Sequence, residues 1–169
     1  IKESQANKAL VDAVSDMEGV AVFNLYELSQ EIAFNVDEWS KIISDASAVI
    51  YQFPFYWMSA PSLLKKWQDE VFTFLSKTPA VAGKSLTVVT TTGSEYEAYR
   101  SGGRNRFTMD ELLRPYQVSA IHSGMSWQTP IVVYGMGTAD AGKNIAEGAN
   151  LYKQRVEMLI GSSNAGNNW

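Results

Sequence analysis

Two hydrophobic periods alternate along the chain, one typical of amphipathic helices and one typical of buried strands. In residues 4–17 apolar side chains recur every three to four positions, which predicts a helix. Ser4 precedes it as a candidate N-cap, because its hydroxyl can accept an N–H group that the first turn leaves unpaired. Further helices are predicted at 37–45, 60–76, 108–124 and 138–160, and strands at 20–26, 46–52, 85–91 and 130–134. Pro115 predicts a break in the helix 108–124.

This alternation of helices and strands predicts a three-layer α/β domain, in which a doubly wound parallel sheet carries helices on both faces. The strand at 46–52 is apolar without alternation, as expected for a strand that is covered on both faces. No internal repeat or linker interrupts the pattern. We therefore expect a single domain over residues 1–160, followed by a polar tail at 161–169.

The order of the predicted elements raises a question about the centre of the sheet. In a doubly wound sheet the first strand lies in the middle and precedes the first helix. Here the pattern opens on the helix 4–17. We therefore expect a short apolar strand ahead of Ile1, ending in a turn that completes a phosphate site with Ser4 and Asn7.

Composition and charge exclude several classes of function. The net charge is −4 and no basic run occurs, which argues against nucleic-acid binding through phosphates. The chain has no cysteine, which excludes disulfides and thiolate metal sites, and its single histidine, His122, leaves no histidine cluster for a metal. No apolar run reaches the ~18 residues of a membrane span. These features fit a cytoplasmic protein in a reducing compartment.

Three predicted loops should meet at the carboxyl edge of the sheet, where open parallel sheets bind their ligands. The first loop, residues 2–7, offers Ser4, Asn7 and the positive end of a helix, which suits a phosphate. The alternative interpretation is a plain helix cap. The third loop, residues 90–107, offers Thr91, Thr92 and Gly93 at a strand end. Its alternative interpretation is a long surface connection.

The second loop, "FPFYWMSAP" at 53–61, is the most unusual stretch of the sequence. Its two prolines fix the backbone at both ends. Aromatic side chains crowd a predicted turn, where water would wet them. Either they pack as core beneath the next helix, or they form a platform for a flat ligand.

Taken together, three motifs resemble a known family. They are "FPFYWMSAPSLLKKWQDEVF" at 53–72, "TTTGSEYEAY" at 90–99 and "GGRNRFTMDELLRP" at 102–115. They are similar to the flavodoxin-fold NAD(P)H:quinone oxidoreductases, and most closely to the DT-diaphorase-like bacterial branch that includes the ancillary oxidoreductase of glutathione-gated potassium efflux. The chain departs from the family pattern at Ser94, where the family has a second glycine, and at Asn105, where some relatives have a histidine.

The resemblance implies a flavin cofactor, FMN or FAD, and assigns residues to it. The phosphate would lie at Ser4 and Asn7, and Tyr99 would be the catalytic residue, with its hydroxyl near flavin N1 and O2. The isoalloxazine ring would be bordered by Pro54, Phe55, Tyr56, Trp57, Met58, Thr91, Thr92 and Gly93.

The resemblance also implies an activity and partners. A hydride would pass from NAD(P)H to flavin N5 and on to a small quinone-like acceptor, in ping-pong turnover. The alternative is an ancillary subunit that binds a membrane transporter for potassium efflux, with oxidoreductase activity secondary or lost. A homodimer is expected because Trp67, Phe72 and Phe74 place large side chains on both faces of one helix.

Overall fold

The computed structural model describes residues 4–28 and 33–165, apart from the side chains of 163–165. Its helices are α1 Gln5–Asp12, α2 Leu25–Leu28, α3 Val36–Asp45, α4 Ser62–Trp67, α5 Thr73–Leu75, α6 Met109–Leu112, α7 Arg114–His122 and α8 Ala141–Ala165. A π-helical turn, Gln68–Phe72, joins α4 to α5, and a 3₁₀ turn spans Tyr96–Tyr99. The strands are β1 Ala48–Pro54, β2 Ser85–Thr91, β3 Ser126–Trp127 and β4 Ile131–Val133.

The sheet is parallel throughout the described residues, and β2 lies at its centre. β1 pairs with β2 from Ala48 opposite Ser85 to Pro54 opposite Thr91. On the other side of β2, β3 pairs at the amino end and β4 at the carboxyl end. The carboxyl ends of β1, β2 and β4 therefore meet at one edge of the sheet.

Helices cover both faces of the sheet and bury two apolar clusters. One cluster packs α1 and α8 against β2 and β4, with Leu10, Val89 and Tyr152 among its buried members. The larger cluster packs α3, α4 and α7 against the opposite face, with Trp39 and Trp67 in edge-to-face contact. The predicted three-layer, doubly wound α/β architecture is confirmed.

Helix ends follow the local chemistry of the sequence. Ser4 caps α1 as predicted, and its hydroxyl accepts the Asn7 N–H at 3.3 Å. Thr108 and Glu111 form a reciprocal capping box at α6. The helix predicted at 108–124 breaks at Leu113, because Pro115 cannot donate a backbone hydrogen bond. The closing helix extends to Ala165, beyond the predicted end at residue 160.

The prediction of a strand at 20–26 is wrong. Residues 20–24 have no regular secondary structure, and Leu25–Leu28 form a helical turn. A strand is stable only when its backbone groups pair with a neighbour, and this segment pairs with no other strand in the described residues. Its apolar side chains Val22 and Phe23 are 47% and 41% exposed, so the apolar pattern did not lead to burial in the core.

Candidate functional site

The loop after β1 is a tight two-residue turn with an unusual backbone. Tyr56 and Ser59 exchange both backbone hydrogen bonds, at 2.9 and 3.0 Å. Between them Trp57 has a φ of 48° and Met58 a φ of 62°. Positive φ at both central positions is the geometry of a type I′ turn, which usually takes Asn and Gly. Neither central N–H group is used by the turn itself.

The side chains on this turn are held out in solvent. Trp57 is 97% exposed, and Tyr56 and Met58 are about half exposed. The left-handed region costs a non-glycine residue on the order of 1–2 kcal/mol. Strain of this kind persists where the surrounding structure enforces it, and it clusters at ligand sites. The turn therefore combines two costs, strain and an exposed indole, that folding alone does not explain.

Hydrogen bonds at both ends hold the turn in place. The Phe55 N–H donates to the Thr91 carbonyl at 2.9 Å, which ties the start of the turn to β2. The Ala60 N–H donates to the Tyr116 hydroxyl at 3.1 Å, which ties its end to α7. Sequence reasoning missed Tyr116, because its position at the turn depends on the packing of α7 and leaves no local signal.

The predicted platform residues divide into two groups. Pro54 and Phe55 are buried, whereas Tyr56, Trp57 and Met58 are exposed. The first half of the loop therefore belongs to the core, and its second half is exposed, so the platform for a flat ligand stays a prediction for that second half.

The loop after β2 is held by buried hydrogen bonds. Thr92 is buried, and its hydroxyl donates to the Ser94 carbonyl at 2.7 Å. The loop after β4 adds three backbone bonds, which run from Gly135 to Ser94, from Met136 to Thr92 and from Gly137 to Gly93 at 2.8–2.9 Å. A Cβ at Gly137 would lie 3.1 Å from the Gly93 carbonyl oxygen. Gly93 itself is exposed, so the part of this loop that a ligand could contact is mainly backbone.

The start of α1 joins the same edge. The buried Asn7 side chain donates to the Thr91 hydroxyl at 2.9 Å and to the Ser4 hydroxyl at 3.1 Å. Gln52 donates from its side chain to the Asn7 carbonyl at 2.9 Å. The structure thus brings Ser4, Asn7 and Thr91 together as predicted. The hydrogen bonds of the Asn7 side chain link the start of α1 to the end of β2.

Tyr99 lies in an aromatic cluster beside the turn. Its ring is 6.2 Å from that of Phe55 and 5.8 Å from that of Tyr134, and Tyr96 contacts Tyr134 edge-to-face at 5.3 Å. Partial burial raises the pKa of Tyr134 to about 12, which extends the range in which this phenol keeps its proton to higher pH. Sequence reasoning did not identify Tyr96 or Tyr134, although each follows a strand end closely.

The glycine-rich segment 102–107, here called the flap, folds back on the 3₁₀ turn Tyr96–Tyr99, where the Asn105 N–H donates to the Ala98 carbonyl at 3.0 Å. A Cβ at Gly103 would lie 2.2 Å from the Glu97 carbonyl oxygen, so this position requires glycine. The Arg104 guanidinium donates to the Ser94 hydroxyl at 2.6 Å. The serine that departs from the family pattern is therefore the acceptor that connects the flap to the end of β2.

Two open cavities flank this edge of the sheet. One of about 800 Å³ runs along β1 and the start of α1, and includes Ser4, Asn7 and Pro54. The other, of about 700 Å³, includes Tyr99, Arg100 and Tyr134. Within residues 4–28 and 33–165 no group of three potential metal ligands occurs. No helix in that part of the chain has the length and apolarity to cross a bilayer.

Comparison with known proteins identifies relatives over most of the chain. The profile of a family described as having a flavodoxin-like fold matches residues 2–156. General stress protein 14 of Bacillus subtilis is 35% identical over 162 residues, which are 94% of this chain and 92% of that protein. The uncharacterized NAD(P)H oxidoreductase YdeQ of Bacillus subtilis is 34% identical over 94% of this chain and 82% of its own. The potassium-efflux ancillary protein KefG of Pectobacterium atrosepticum is 34% identical over 79% of this chain and 75% of its own.

Solved structures show the same similarity in three dimensions. A general stress protein 14 from Treponema denticola, in complex with FMN, superposes with a TM-score of 0.84 at 27% identity over 94% of this chain and 93% of its own. A structure described as a thermophilic tryptophan halogenase from Streptomycin violaceusniger gives 0.85 at 35% over 92% of each chain. An NADPH-quinone reductase from P. pentosaceus gives 0.74 at 25% over 89% and 90%.

Proposed function

The chain belongs to the family of proteins with a flavodoxin-like fold, and on that premise we propose that it is a flavin-dependent NAD(P)H oxidoreductase acting on a quinone-like acceptor. The nicotinamide co-substrate is inferred from the relative named an NAD(P)H oxidoreductase. The quinone-like acceptor is inferred from the relative named an NADPH-quinone reductase. Among flavins we propose FMN, because a related structure is a complex with FMN.

The observation that carries the proposal is the strained turn that holds Trp57 in solvent. A flat heteroaromatic ring gains from stacking on an exposed indole, and aromatic contact contributes about 0.5–1.5 kcal/mol beyond area burial. The turn leaves the N–H groups of Trp57 and Met58 outside its own hydrogen bonds. They are therefore suited to a polar ring edge, whereas an ordinary surface turn needs neither the strain nor the tryptophan.

The other predicted residues fit distinct parts of a flavin. Ser4 lies at the positive end of the eight-residue helix α1, which suits a phosphate. The exposed backbone at Gly93 and the anchored Thr91 and Thr92 form a rigid wall for the polar end of the ring. Pro54 and Phe55 are buried just ahead of Tyr56, Trp57 and Met58, and the Phe55 N–H ties the start of the turn to β2.

A bound flavin would supply the redox chemistry, by accepting a hydride from a nicotinamide and passing it to the acceptor. The chain's own contribution is to bind, to orient and to place hydrogen-bond donors. Tyr99 is the proposed catalytic residue, because a phenol hydroxyl can donate to a developing negative charge. Burial raises the pKa of neighbouring Tyr134 to about 12, so this phenol remains a hydrogen-bond donor well into the alkaline range.

The proposal is tested by titrating the purified full chain with FMN and following the flavin absorbance and fluorescence. Trp57→Ala should weaken FMN binding several-fold, as the loss of about 1 kcal/mol of stacking requires. The matched control is Phe74→Ala, which removes another exposed aromatic, 63% exposed on the remote helix α5. This control should bind FMN as the parent does.

Equal FMN affinity in Trp57→Ala and the parent would reject the platform. Flavin binding without reduction by NADH or NADPH would leave the flavin site standing and reject the oxidoreductase assignment. The two halves of the proposal therefore fail separately.

A second function, as ancillary subunit of a potassium-efflux transporter, is favoured by the similarity to KefG over 79% of the chain. Co-purification with such a transporter from membranes, and a change in potassium efflux when the chain is added, would support it. If the chain neither co-purifies with the transporter nor changes potassium efflux, while its reductase activity is intact, the ancillary function is rejected and the enzyme function stands.

We also propose a homodimer, but on different residues from those that first suggested it. Trp67 and Phe72 are buried in the core, so Phe74 is the one of these three aromatic side chains that is exposed. Val118 and Ile121 on α7 and Leu151 and Met158 on α8 are each more than half exposed instead. Apolar surface of this kind is typical of an interface. Sedimentation at micromolar concentration should give twice the mass of the chain, and Ile121→Lys should shift it to the monomer.

A further inference from the structure

The cavity beside β4 is lined by arginine. Arginine is unevenly distributed along the chain: every arginine lies either between residues 100 and 114 or at 155, whereas no lysine lies between residues 85 and 142. Arg100 and Arg155 line the cavity of about 700 Å³, which we call the arginine groove. Among the described residues Asp110 is its one acidic lining side chain. The lining is therefore net positive, in a chain whose net charge is −4.

The arginine groove follows the free side of β4. Among the described residues β4 pairs with β2 alone. Two hydrogen bonds align α8 beside it: the Asn144 side chain donates to the Tyr134 carbonyl at 2.9 Å, and the Arg155 guanidinium donates to the Thr129 carbonyl at 2.5 Å. At about 1.5 Å per helical residue and about 3.3 Å per strand residue, the helical and the extended segment between these bonds each span about 16 Å. The groove is therefore elongated, from Tyr134 at the carboxyl edge of the sheet to Arg155 at the other end.

The near end of the groove lies at the proposed catalytic tyrosine. Tyr99 lines it together with Tyr134, whose ring is 5.8 Å away. The next residue is Arg100, whose guanidinium lies 5.4 Å from the centre of the Tyr96 ring and 3.7 Å from the Glu97 carboxylate. The Arg100 side chain is 54% exposed, so this surface ion pair contributes little. Its guanidinium is therefore available to an anion that enters from solvent.

The far end of the groove carries Arg155. Its side chain is half-buried, and the bond to the Thr129 carbonyl fixes the guanidinium just ahead of β4. Among the described residues it has no carboxylate partner. A guanidinium carries several N–H donors in a planar fork, so one bond to a carbonyl leaves donors for an anion. This fork matches the oxygens of a phosphate, and we therefore expect a phosphate group at Arg155.

We propose that the arginine groove binds the adenosine half of the nicotinamide co-substrate, with the diphosphate at Arg100 and the adenosine 2′-phosphate at Arg155, so that the chain uses NADPH in preference to NADH. The inference rests on the proposed function and adds which of the two nucleotides is used. A nicotinamide dinucleotide is elongated, with the nicotinamide at one end and the adenosine at the other. With the nicotinamide near Tyr99, the groove receives the remainder. Because NADH lacks the 2′-phosphate, Arg155 distinguishes the two nucleotides.

The first test measures the binding of nucleotide fragments to the full 169-residue chain by titration calorimetry. The fragments are 2′,5′-ADP and ADP, which are isomers and differ only in where the second phosphate is attached. Titrations with and without FMN exclude binding at a site that belongs to the flavin. We expect 2′,5′-ADP to bind about tenfold more tightly than ADP, because a hydrogen bond to a charged group is among the stronger ones.

Variants assign this difference to one side chain. Arg155→Gln should abolish the preference for 2′,5′-ADP, and Arg155→Lys, which keeps the charge but not the planar fork, should restore part of it. The matched control is Arg114→Gln, which replaces an exposed arginine that does not line the groove. This control should keep the full preference. Stopped-flow reduction of the FMN-loaded protein then separates the two arginines: Arg155→Gln should weaken NADPH about tenfold with no comparable change for NADH, whereas Arg100→Gln should weaken both, since both nucleotides contain the diphosphate.

The possible failures are distinguishable. Equal affinity for 2′,5′-ADP and ADP, or an unchanged preference in Arg155→Gln, would overturn the 2′-phosphate site. Flavin reduction with the same apparent affinity for NADH and NADPH would overturn the preference for NADPH and leave the proposed function intact. Binding of 2′,5′-ADP that depends on Arg155, in a protein whose flavin neither nucleotide reduces, would support the arginine groove and reject the oxidoreductase assignment.

Discussion

The loops that follow β1 and β2 lie side by side and are built in opposite ways. The turn Tyr56–Ser59 accepts backbone strain and holds its side chains in water, with Trp57 97% exposed. The loop Thr92–Ser94 avoids strain, buries its threonine and is tied by three backbone bonds to the loop after β4. The first loop presents exposed side chains, and the second presents a backbone that its hydrogen bonds hold in place. A site for a flat polar ligand needs both, because stacking gives affinity and fixed donors give orientation.

Because the two loops differ in this way, mutations in them should have different effects on ligand affinity and on stability. At the strained turn, changes of side chain should affect the ligand more than the fold. At the hydrogen-bonded loop, they should affect the fold more than the ligand.

The largest expected effect lies next to the second loop, at Tyr99. Tyr99→Phe removes a hydroxyl proposed to donate to charge that develops during reduction, and loss of one such donor can cost about 100-fold in rate. Stopped-flow reduction of the FMN-loaded protein by NADPH should therefore slow by that order, with FMN content unchanged. Reduction at the parent rate would assign Tyr99 to packing against Phe55 and Tyr134.

The next effect tests the claim that the second loop is structural. Thr92→Val keeps the shape of the buried side chain and deletes its hydrogen bond to the Ser94 carbonyl. We expect the free energy of unfolding to fall by about 1–3 kcal/mol, measured by urea titration of the ligand-free protein. FMN affinity should fall less than in Trp57→Ala. The reverse ranking would break the comparison between the two loops.

A smaller effect of opposite sign is expected at the turn. Met58→Gly should raise the free energy of unfolding by about 1 kcal/mol, because glycine adopts a φ of 62° without the steric cost. Met58→Ala is the matched control, since it removes the side chain beyond Cβ but keeps the Cβ that makes this φ costly. If both variants have the stability of the parent, the turn is not strained.

The smallest effect concerns alkaline pH. Burial raises the pKa of Tyr134 to about 12 from an ordinary value of 10.0. Above pH 10 the unfolded chain loses this proton while the folded chain keeps it, so stability should fall as the pH rises from 10 to 12. Tyr134→Phe should flatten that fall in a urea titration series and leave the pH dependence below pH 9 unchanged. An equally steep fall in the variant would place the titration elsewhere, such as at Tyr152, whose pKa burial also raises to about 12.

Much of this protein is determined by the sequence itself, because the signals are local. The 3.6-residue and continuous apolar periods place α3, α8, β1 and β2. Ser4 caps α1 through a bond three residues away, and Pro115 breaks the helix 108–124 through its missing N–H group. The motifs at 53–72 and 90–99 indicated the family, and they placed the candidate site at the carboxyl ends of β1 and β2.

Only the tertiary structure decided the rest, because it depends on partners that are distant along the chain. The pattern at 20–26 predicts a strand, yet this segment pairs with no strand among the described residues. Phe55 and Trp57 are both aromatic residues of the same predicted loop. The hydrogen bond from the Phe55 N–H to Thr91 keeps Phe55 next to β2, where it is buried, whereas Trp57 lies on the two-residue turn and is exposed. Tyr116 supports that turn from a helix 56 residues beyond Ala60. Local periodicity records how much of each segment is apolar, whereas packing decides which side of it remains open to a ligand.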